Sequence, residues 1–357
     1  MEKLRTGDWA SFLVDIVDQE SVSGDEETLA TSVEVTLREQ APWLGVTRIG
    51  NTVVARTELG RAQRVIIAGH LDTVPVEDNL PARVSGTGEA AIVWGRGTVD
   101  MKGGVAVMLR LAGELRDATK DVTLVFYDNE EVAWDANGLG RAMLSNPELF
   151  DADFAVLMEP TSSRIEGGCQ GTIRVDVTTR GTSAHSARSW LGHNAIHDMA
   201  DVIERVRAFE PRTVAVEGLT YREGLNVTTI HGGVAGNVIP NACTAQINYR
   251  FAPDRTLDEA VAVLSSLFAG YDMEILDRSP AARPGLDTPL AQSLVACVGG
   301  EPGAKYGWTD VARFSSLHIP AVNYGPGDAN LAHTKDEHCA VSELDTCFTV
   351  LRDWLTA

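Results

Sequence analysis

Residues 65–72 read VIIAGHLD, a short apolar run that leads straight into a histidine and an aspartate. Two further runs have the same form, VTLVFY ahead of Asp128 and FAVLM ahead of Glu159. A run that is apolar at every position is typical of a strand covered by helices on both faces. Since segments with helical periodicity separate these runs, the sequence predicts an α/β fold.

This α/β pattern is interrupted in the middle of the chain. Residues 172–179 alternate apolar and polar side chains, which indicates a strand with one solvated face. The elements then follow the order β-α-β-β-α-β of a ferredoxin-like unit, and the α/β pattern returns near residue 281. A length of 357 residues also favours two domains. We therefore predict an inserted α+β domain at 175–283 within a discontinuous α/β domain at 1–174 and 284–357.

Individual helices and strands can be predicted from the same periodicities. In the first part, helices are expected at 12–17, 29–37 and 105–115, and strands at 51–56, 64–68, 122–127 and 154–158. In the inserted part, helices are expected at 194–209 and 257–268, and strands at 172–179, 225–230, 242–250 and 273–276. In the last part, helices are expected at 289–297 and 342–355, and a strand at 319–324.

Composition and charge narrow the function classes. The formal net charge is −20, which argues against nucleic acid and anionic membranes as partners, because both are bound through clusters of Lys and Arg. No stretch approaches the roughly 20 apolar residues of a transmembrane helix, and residues 1–9 lack a secretory signal, so a cytoplasmic location is expected. The five cysteines form no CxxC pair, so we expect them to be reduced.

Acidic and imidazole groups follow several of the apolar runs. Ligands of open α/β sheets bind beyond the carboxyl ends of the strands, so these groups are expected to meet at one edge. Crowded carboxylates repel one another unless cations compensate them. Two His and three Asp or Glu without Cys suit Zn²⁺, and two zinc ions with one hydroxide would balance three carboxylates. The candidate ligands are His70, Asp100, Glu131, Glu159 and His333.

The motifs that carry these residues resemble those of the co-catalytic zinc aminoacylase/carboxypeptidase family, the M20 peptidases. They are HLDTVP (70–75), GRGTVDMKGG (95–104), the pair Glu130-Glu131, MEP (158–160) and LAHTKDE (331–337). The resemblance implies a three-layer zinc-peptidase-like catalytic domain with an inserted ferredoxin-like lid domain, through which two chains form a homodimer. It also implies two Zn²⁺ per chain, for which Co²⁺ is a plausible substitute.

The resemblance assigns a role to each ligand. Asp100 would bridge the two metals, with His70 and Glu159 completing one site. Glu131 and His333 would complete the other site. Glu130 would be the general base, and Asp72 would hold the imidazole of His70 in its tautomer as an outer partner. A solvated acidic turn is the alternative for the pair Glu130-Glu131.

Further motifs resemble the actinobacterial succinyl-diaminopimelate desuccinylases. They are GGCQGT (167–172), AHSARSWLGHNAIH (184–197), YREGLN (221–226), GGVAGNVIP (232–240), NYRFAPDR (248–255), KYGWTDVARF (305–314) and NYGPGDANLAH (323–333). This resemblance implies hydrolysis of N-succinyl-LL-2,6-diaminopimelate to succinate and LL-2,6-diaminopimelate. The stretch Trp308-Thr309-Asp310 departs from the usual Gly-Thr-Ser-Asp, which affects the detail of substrate contacts.

Candidates for substrate contacts lie mostly in the inserted part. The resemblance makes His185 an oxyanion donor that reaches the site of the other subunit, and an ordinary exposed histidine is the alternative. The candidates for binding the small acidic acylated amino acid are Arg188, Asn237, Arg250 and Thr309. Arginine suits carboxylates because it binds them through two hydrogen bonds, although a surface ion pair remains open for Arg188.

Two alternatives to the desuccinylase remain open. Another acyl or peptide substrate, such as N-acetylornithine or a dipeptide, would use the same metal ligands, because these ligands contact only the amide. A non-catalytic relative would keep the fold for binding, but such a protein is expected to lack the base or some ligands. The dinucleotide GxGxxG, the serine-hydrolase GxSxG and the zinc motif HExxH are all absent from the sequence.

Overall fold

The computed structural model describes Leu4 and residues 7–357. The chain forms two compact units. The first unit takes in the described residues up to Gly168 together with Pro284–Ala304 and Thr309–Ala357, and the second comprises Cys169–Arg283 and Lys305–Trp308. The α/β class and the inserted second unit agree with the fold predicted from the sequence. The catalytic and lid roles of the two predicted domains stay predictions.

The first part of the chain contains helices and strands, and helices α3 and α4 separate strands β5, β6 and β7. Its elements are α1 (Trp9–Val17), α2 (Glu27–Gln40), β1 (Gly45–Ile49), β2 (Thr52–Arg56), β3 (Arg64–His70), β4 (Arg83–Ser85), β5 (Ile92–Trp94), α3 (Lys102–Ala112), β6 (Asp121–Tyr127), α4 (Gly138–Ser145), β7 (Phe154–Leu157) and β8 (Glu166–Gly167). The four predicted strands coincide with β2, β3, β6 and β7 to within two residues.

Helix α3 begins earlier than the sequence pattern suggests. The prediction placed its start at Val105, after two glycines, but the helix begins at Lys102. The glycines serve close packing, because a Cβ atom on Gly104 would lie 2.4 Å from the carbonyl oxygen of Met158. Periodicity marks only where apolar side chains recur, so a helical turn that packs through bare backbone leaves no such signal.

The second unit is an antiparallel sheet packed against two helices. Its elements are β9 (Gly171–Arg180), α5 (Ala195–Ala208), β10 (Thr213–Val216), β11 (Leu219–Arg222), β12 (Gly224–Gly232), β13 (Ala242–Phe251), α6 (Leu257–Leu267) and β14 (Asp272–Ser279). The sheet order β12-β13-β9-β14 is the order of a ferredoxin-like unit. Strand β9 alternates as predicted, with Ile173, Val175 and Val177 fully buried.

The hairpin of β10 and β11 was missed by the sequence analysis. It closes through Glu217 and Gly218, which both have positive φ values, 48° and 85°. Positive φ at both central residues is the geometry of a type I′ turn, whose twist matches that of paired strands. The alternating stretch on either side of Glu-Gly was the signal that could have predicted it.

The chain then returns to the first unit. The remaining elements are α7 (Pro289–Val298), β15 (Gly303–Ala304), α8 (Val311–Ser316), β16 (Ala321–Asn323), β17 (His338–Ala340) and α9 (Val341–Thr356). An eight-stranded sheet of order β1-β2-β6-β3-β7-β16-β8-β15 forms the centre of this unit. Predicted helices 289–297 and 342–355 coincide with α7 and α9, and predicted strand 319–324 with the shorter β16.

Both faces of the central strands are buried. Successive strand residues point to opposite faces, and Val65, Ile66, Ile67 and Ala68 of β3 are all fully buried. Strand β3 runs parallel to β6 and β7, so the carboxyl ends of these three strands meet at the same edge. Among the described helices, none is long and apolar enough to span a membrane. All five cysteines are free thiols, as predicted.

Candidate active site

Strand β3 ends in His70, and Asp72 lies two residues further on. The Nδ1 atom of His70 lies 2.9 Å from the backbone carbonyl oxygen of Asp72 and 3.5 Å from its Oδ1. The carboxylate of Asp72 accepts the backbone N–H groups of Glu130, at 2.9 Å, and Glu131, at 3.0 Å. It also accepts the hydroxyl of Ser23 at 2.7 Å. Asp72 therefore joins the end of β3 to the acidic pair that follows β6.

Asp100 lies between two histidines. Its Oδ1 lies 3.1 Å from Nε2 of His70, and its Oδ2 lies 3.3 Å from Nε2 of His333. The same nitrogen of His333 lies 2.7 Å from Oε1 of Glu131. One donor atom from each of His70, Asp100 and Glu131 falls within 4.8 Å of the others. Four of the five candidate ligands are thus linked by short contacts.

The fifth candidate, Glu159, comes two residues after the end of β7. Its side chain is buried, with 5% exposure, and its charge helps to raise the pKa of Glu130. Glu130 itself is partly buried beside Glu131, and its backbone is held by Asp72. The acidic residues that follow β6 and β7 therefore interact electrostatically at the same edge of the sheet.

The mutual influence of these groups changes their acidity. Burial, followed by the charges of Glu131 and Glu159, raises the pKa of Glu130 well above its usual value, although His70 opposes this shift. Burial also raises the pKa of Glu131. Hydrogen bonds with Asp100 and Glu131 raise the pKa of His333 to about 10. Although burial opposes it, hydrogen bonds with His333 and His70 lower the pKa of Asp100.

These donors fit a metal ion. Imidazole nitrogens and carboxylate oxygens are the ligands that Zn²⁺ accepts from proteins, and here they approach one another at one partly buried edge. Since the pKa of His333 is raised, a proton on this imidazole would offset part of the negative charge of the carboxylates. A bound cation would compensate the carboxylates in the same way. The arrangement therefore forms a metal-binding cluster.

Glu26 is a residue of this region that the sequence did not indicate. Glu26 is fully buried, and its Oε1 accepts the N–H groups of Gly24, at 2.8 Å, and Asn129, at 3.2 Å. Asn129 precedes the acidic pair and has a φ of 59°, in the left-handed region. Glu26 therefore holds the turn that presents Glu130. A single acidic residue ahead of α2 carries no sequence signal for this contact.

The remaining candidates belong to other segments of the chain. In the second unit, His185 is exposed, its Nδ1 accepts the N–H of Ala187 at 3.0 Å, and its backbone forms an isolated bridge with Val238. The N–H of Ser186 donates to the carbonyl of Asn237 at 2.9 Å. His185 and Asn237 thus lie on adjoining segments.

The two arginine candidates differ in exposure. Arg188 is exposed, whereas Arg250 is partly buried and donates from Nε to Oδ1 of Asn248 at 3.2 Å. Thr309 belongs to the first unit and is buried, and its hydroxyl donates to Oδ1 of Asn323 at 2.8 Å.

Comparison with known families places this geometry in a class of protein. Residues 66–357 match the family described as Peptidase family M20/M25/M40. The chain belongs to this family and is a metal-dependent amidohydrolase.

Two curated relatives narrow the comparison. The chain is 50% identical over 351 residues to a putative succinyl-diaminopimelate desuccinylase of Mycobacterium tuberculosis, with 98% of both chains covered. It is 45% identical to a succinyl-diaminopimelate desuccinylase of Corynebacterium glutamicum, with 96% of this chain and 94% of the relative covered.

Two solved structures share the fold. A tripeptidase from Staphylococcus aureus aligns with a TM-score of 0.78 and 19% identity, over 96% of both chains. A metallo-carboxypeptidase from Sulfolobus solfataricus also aligns with a TM-score of 0.78, at 16% identity, over 98% of this chain and 99% of that one. At these identities the likeness concerns the fold alone.

Proposed function

We propose that the protein hydrolyses N-succinyl-LL-2,6-diaminopimelate to succinate and LL-2,6-diaminopimelate, a step that serves lysine and diaminopimelate biosynthesis. The single observation that carries the catalytic part is the position of Asp100, whose two oxygens face Nε2 atoms of two different histidines. A carboxylate in this position can bridge two metal ions. The substrate is supported by the identity of 50% and 45% to the two desuccinylases over nearly the whole chain.

The proposed ligands follow from this position of Asp100. His70 and Glu159 would complete one metal site, and Glu131 and His333 the other. Two bound Zn²⁺ ions, or Co²⁺ as a substitute, would act as Lewis acids and lower the pKa of a water molecule toward neutrality. The donation of Nδ1–H of His70 to the carbonyl of Asp72 would leave Nε2 for the metal.

Glu130 is the proposed general base. It would take the proton from the attacking water and pass it to the nitrogen of the departing amine. Burial and neighbouring carboxylates raise its pKa, which favours proton uptake near neutral pH. Asp72 and Glu26 accept backbone N–H groups of Glu130 and Asn129, so the turn that carries the carboxylate of Glu130 is held in place.

Residues of the second unit would contact the substrate. His185 would donate to the developing oxyanion in the site of a partner subunit. Arg188, Asn237 and Arg250 would bind the carboxylates of the substrate. The hydroxyl of Thr309 already donates to Asn323, so its part would be to hold the loop rather than to bind through that hydroxyl.

A cytoplasmic homodimer through the second unit is also part of the proposal. This unit exposes large apolar side chains, among them Trp190 at 77% and Val234 at 83%. Exposed apolar groups of this size are typical of interaction surfaces. Sedimentation of the purified protein should give twice the chain mass of 38.3 kDa, and a monomer at micromolar concentration would count against the dimer.

The proposed substrate can be tested with a panel. Purified protein with added Zn²⁺ should hydrolyse N-succinyl-LL-2,6-diaminopimelate with a higher kcat/KM than N-acetylornithine or dipeptides. A preference for either of the other substrates would assign the protein to a different deacylase or to a dipeptidase. Fewer than about one metal ion per chain, with no activity after metal addition, would favour a non-catalytic relative.

A further inference from the structure

Glu337 follows His333 by four residues and contacts the segment that carries Asp100. Its side chain is 1% exposed. One oxygen, Oε1, accepts the backbone N–H groups of Val99, at 3.0 Å, and Asp100, at 3.1 Å. The other oxygen, Oε2, accepts Nη1 of Arg96 at 3.0 Å. Both oxygens of this buried carboxylate are therefore bonded to residues 96–100.

Arg96, the partner of Glu337, also bonds to the segment that follows His333. Its side chain is 3% exposed, and Nη1 donates also to the carbonyl of Thr334 at 3.3 Å. Its Nε donates to the carbonyl of Pro75 at 3.2 Å, and the N–H of Gly95 donates to the backbone carbonyl of Glu337 at 3.0 Å. The segment before Asp100 and the segment after His333 are therefore joined through side chains and backbone together.

His333 needs such support from its surroundings. Its side chain is 51% exposed and its φ is 63°, a left-handed conformation that is unfavourable for a residue with a Cβ atom. Neither burial nor local backbone preference therefore fixes this imidazole. The bond from Arg96 to Thr334 constrains the neighbouring peptide, and Glu337 constrains the loop four residues further on.

A buried ion pair is a costly way to hold a fold. Removing both charges from water consumes much of their mutual attraction, and apolar side chains of similar volume often stabilise a protein equally well. What a charged pair adds is direction, because each hydrogen bond fixes one atom of its partner. The pair Arg96–Glu337 directs its bonds to the peptides beside two proposed ligands, Asp100 and His333.

We propose that Glu337, together with Arg96, is a positioning residue of the proposed metal centre. The pair would hold the carboxylate of Asp100 and the imidazole of His333 in their relative positions before metal binds. This inference rests on the metal centre in the proposed function. It predicts that substitution of Glu337 lowers the affinity for metal and not only the stability of the fold. The metal-free variant would have to order the segment before Asp100 and the segment after His333 when metal binds.

The test compares Zn²⁺ binding by metal-free wild-type protein and Glu337→Gln. A glutamine has one acceptor where the carboxylate has two, so either the Val99–Asp100 peptides or Arg96 lose their partner. The dissociation constant for Zn²⁺, measured by competition with a chromophoric chelator, should rise by about 10–100-fold. The visible absorption of bound Co²⁺ should change as well, since it reports the ligand geometry.

Asp121 provides the matched control. It is also a buried carboxylate that accepts two backbone N–H groups, those of Leu59 and Arg61, but it lies at the start of β6. Asp121→Asn should lower stability while leaving the Zn²⁺ dissociation constant within about twofold of wild type. Glu337→Gln with a lowered melting temperature and an unchanged dissociation constant would overturn the positioning role.

A second variant covers the case in which Glu337→Gln does not fold. Arg96→Lys keeps the charge but replaces the planar group that reaches three acceptors with a single ammonium. Its dissociation constant for Zn²⁺ should rise, and an unchanged value in the folded variant would overturn the proposal. Failure of wild-type protein to bind metal would instead count against the proposed function, so the two failures are distinguishable.

Discussion

Carboxylates near the two ends of strand β6 have pKa values that are shifted in opposite directions. At its start, Asp121 accepts the N–H groups of Leu59 and Arg61 and the hydroxyl of Thr57, all at 2.8 Å. Although burial opposes it, these hydrogen bonds hold the pKa of Asp121 below its ordinary value. Beyond the other end, burial and neighbouring carboxylates raise the pKa of Glu130 and Glu131.

This difference in pKa distinguishes a carboxylate that is hydrogen-bonded within the fold from the two carboxylates that are proposed to act as general base and metal ligand. Asp121 is surrounded by donors, so its charge is compensated by the protein itself. Glu130 and Glu131 face other acidic groups, and their charge is compensated fully only by protons or a bound cation. Groups with acidity shifted in this way are typical of functional sites, where activity is maintained at some cost in stability.

The largest effect is expected for Glu130, which follows the carboxyl end of β6. Glu130→Gln removes the proposed base but keeps the shape of the side chain, so kcat should fall by about 10²–10⁴-fold. Metal content and melting temperature should stay near those of wild type, because the carboxylate is neither a proposed ligand nor a stabilising contact. Steady-state kinetics with the zinc-loaded protein measure this, and near-normal turnover would refute the role of Glu130.

A second variant tests the ligand between the two histidines. Asp100→Asn removes the charge that faces His70 and His333, so Zn²⁺ affinity should fall by more than the roughly 100-fold typical of outer contacts. Titration of the metal-free protein measures this loss. Retention of two tightly bound metal ions per chain in this variant would exclude a bridging role for Asp100.

The smallest effect is expected for Asp121, at the start of β6. Asp121→Asn should lower the free energy of unfolding at neutral pH by about 1–3 kcal/mol, because one acceptor is replaced by a donor that faces N–H groups. Turnover and metal content should not change. Denaturant titration measures the stability, and an undiminished free energy of unfolding would break the contrast between the two ends.

The pH dependence of that last effect follows from the pKa of Asp121. Since the folded pKa lies below the ordinary 3.8, the stabilisation is fully present above that value and is lost as the pH falls through the folded pKa. The difference in stability between wild type and Asp121→Asn should therefore narrow below about pH 4. A difference that stays constant down to acid pH would show that the charge of Asp121 does not contribute.

The sequence predicted the features that depend on side-chain pattern. Strands β3, β6 and β7 could be located because their residues are apolar on both faces, and parallel strand ends bring His70 and the pair Glu130-Glu131 to one edge.

The contacts that the sequence did not predict run through backbone groups. The bonds from Asp72 to the peptides of Glu130 and Glu131, and from Glu337 to the peptide of Asp100, depend on where the chain passes in space. A carboxylate in a sequence does not reveal which N–H group it accepts. The left-handed turn at Asn129, held by Glu26, is hidden for the same reason.

The close approach at Gly104 also limits which sequences this fold tolerates. A Cβ atom added to Gly104 would lie 2.4 Å from the carbonyl oxygen of Met158, the residue directly before Glu159. Even a methyl group at this position would require helix α3 or the Met158 peptide to shift, and helix α3 begins two residues after Asp100. A saturation library at position 104 should therefore favour glycine, because any other side chain would have to displace this contact with the Met158 peptide.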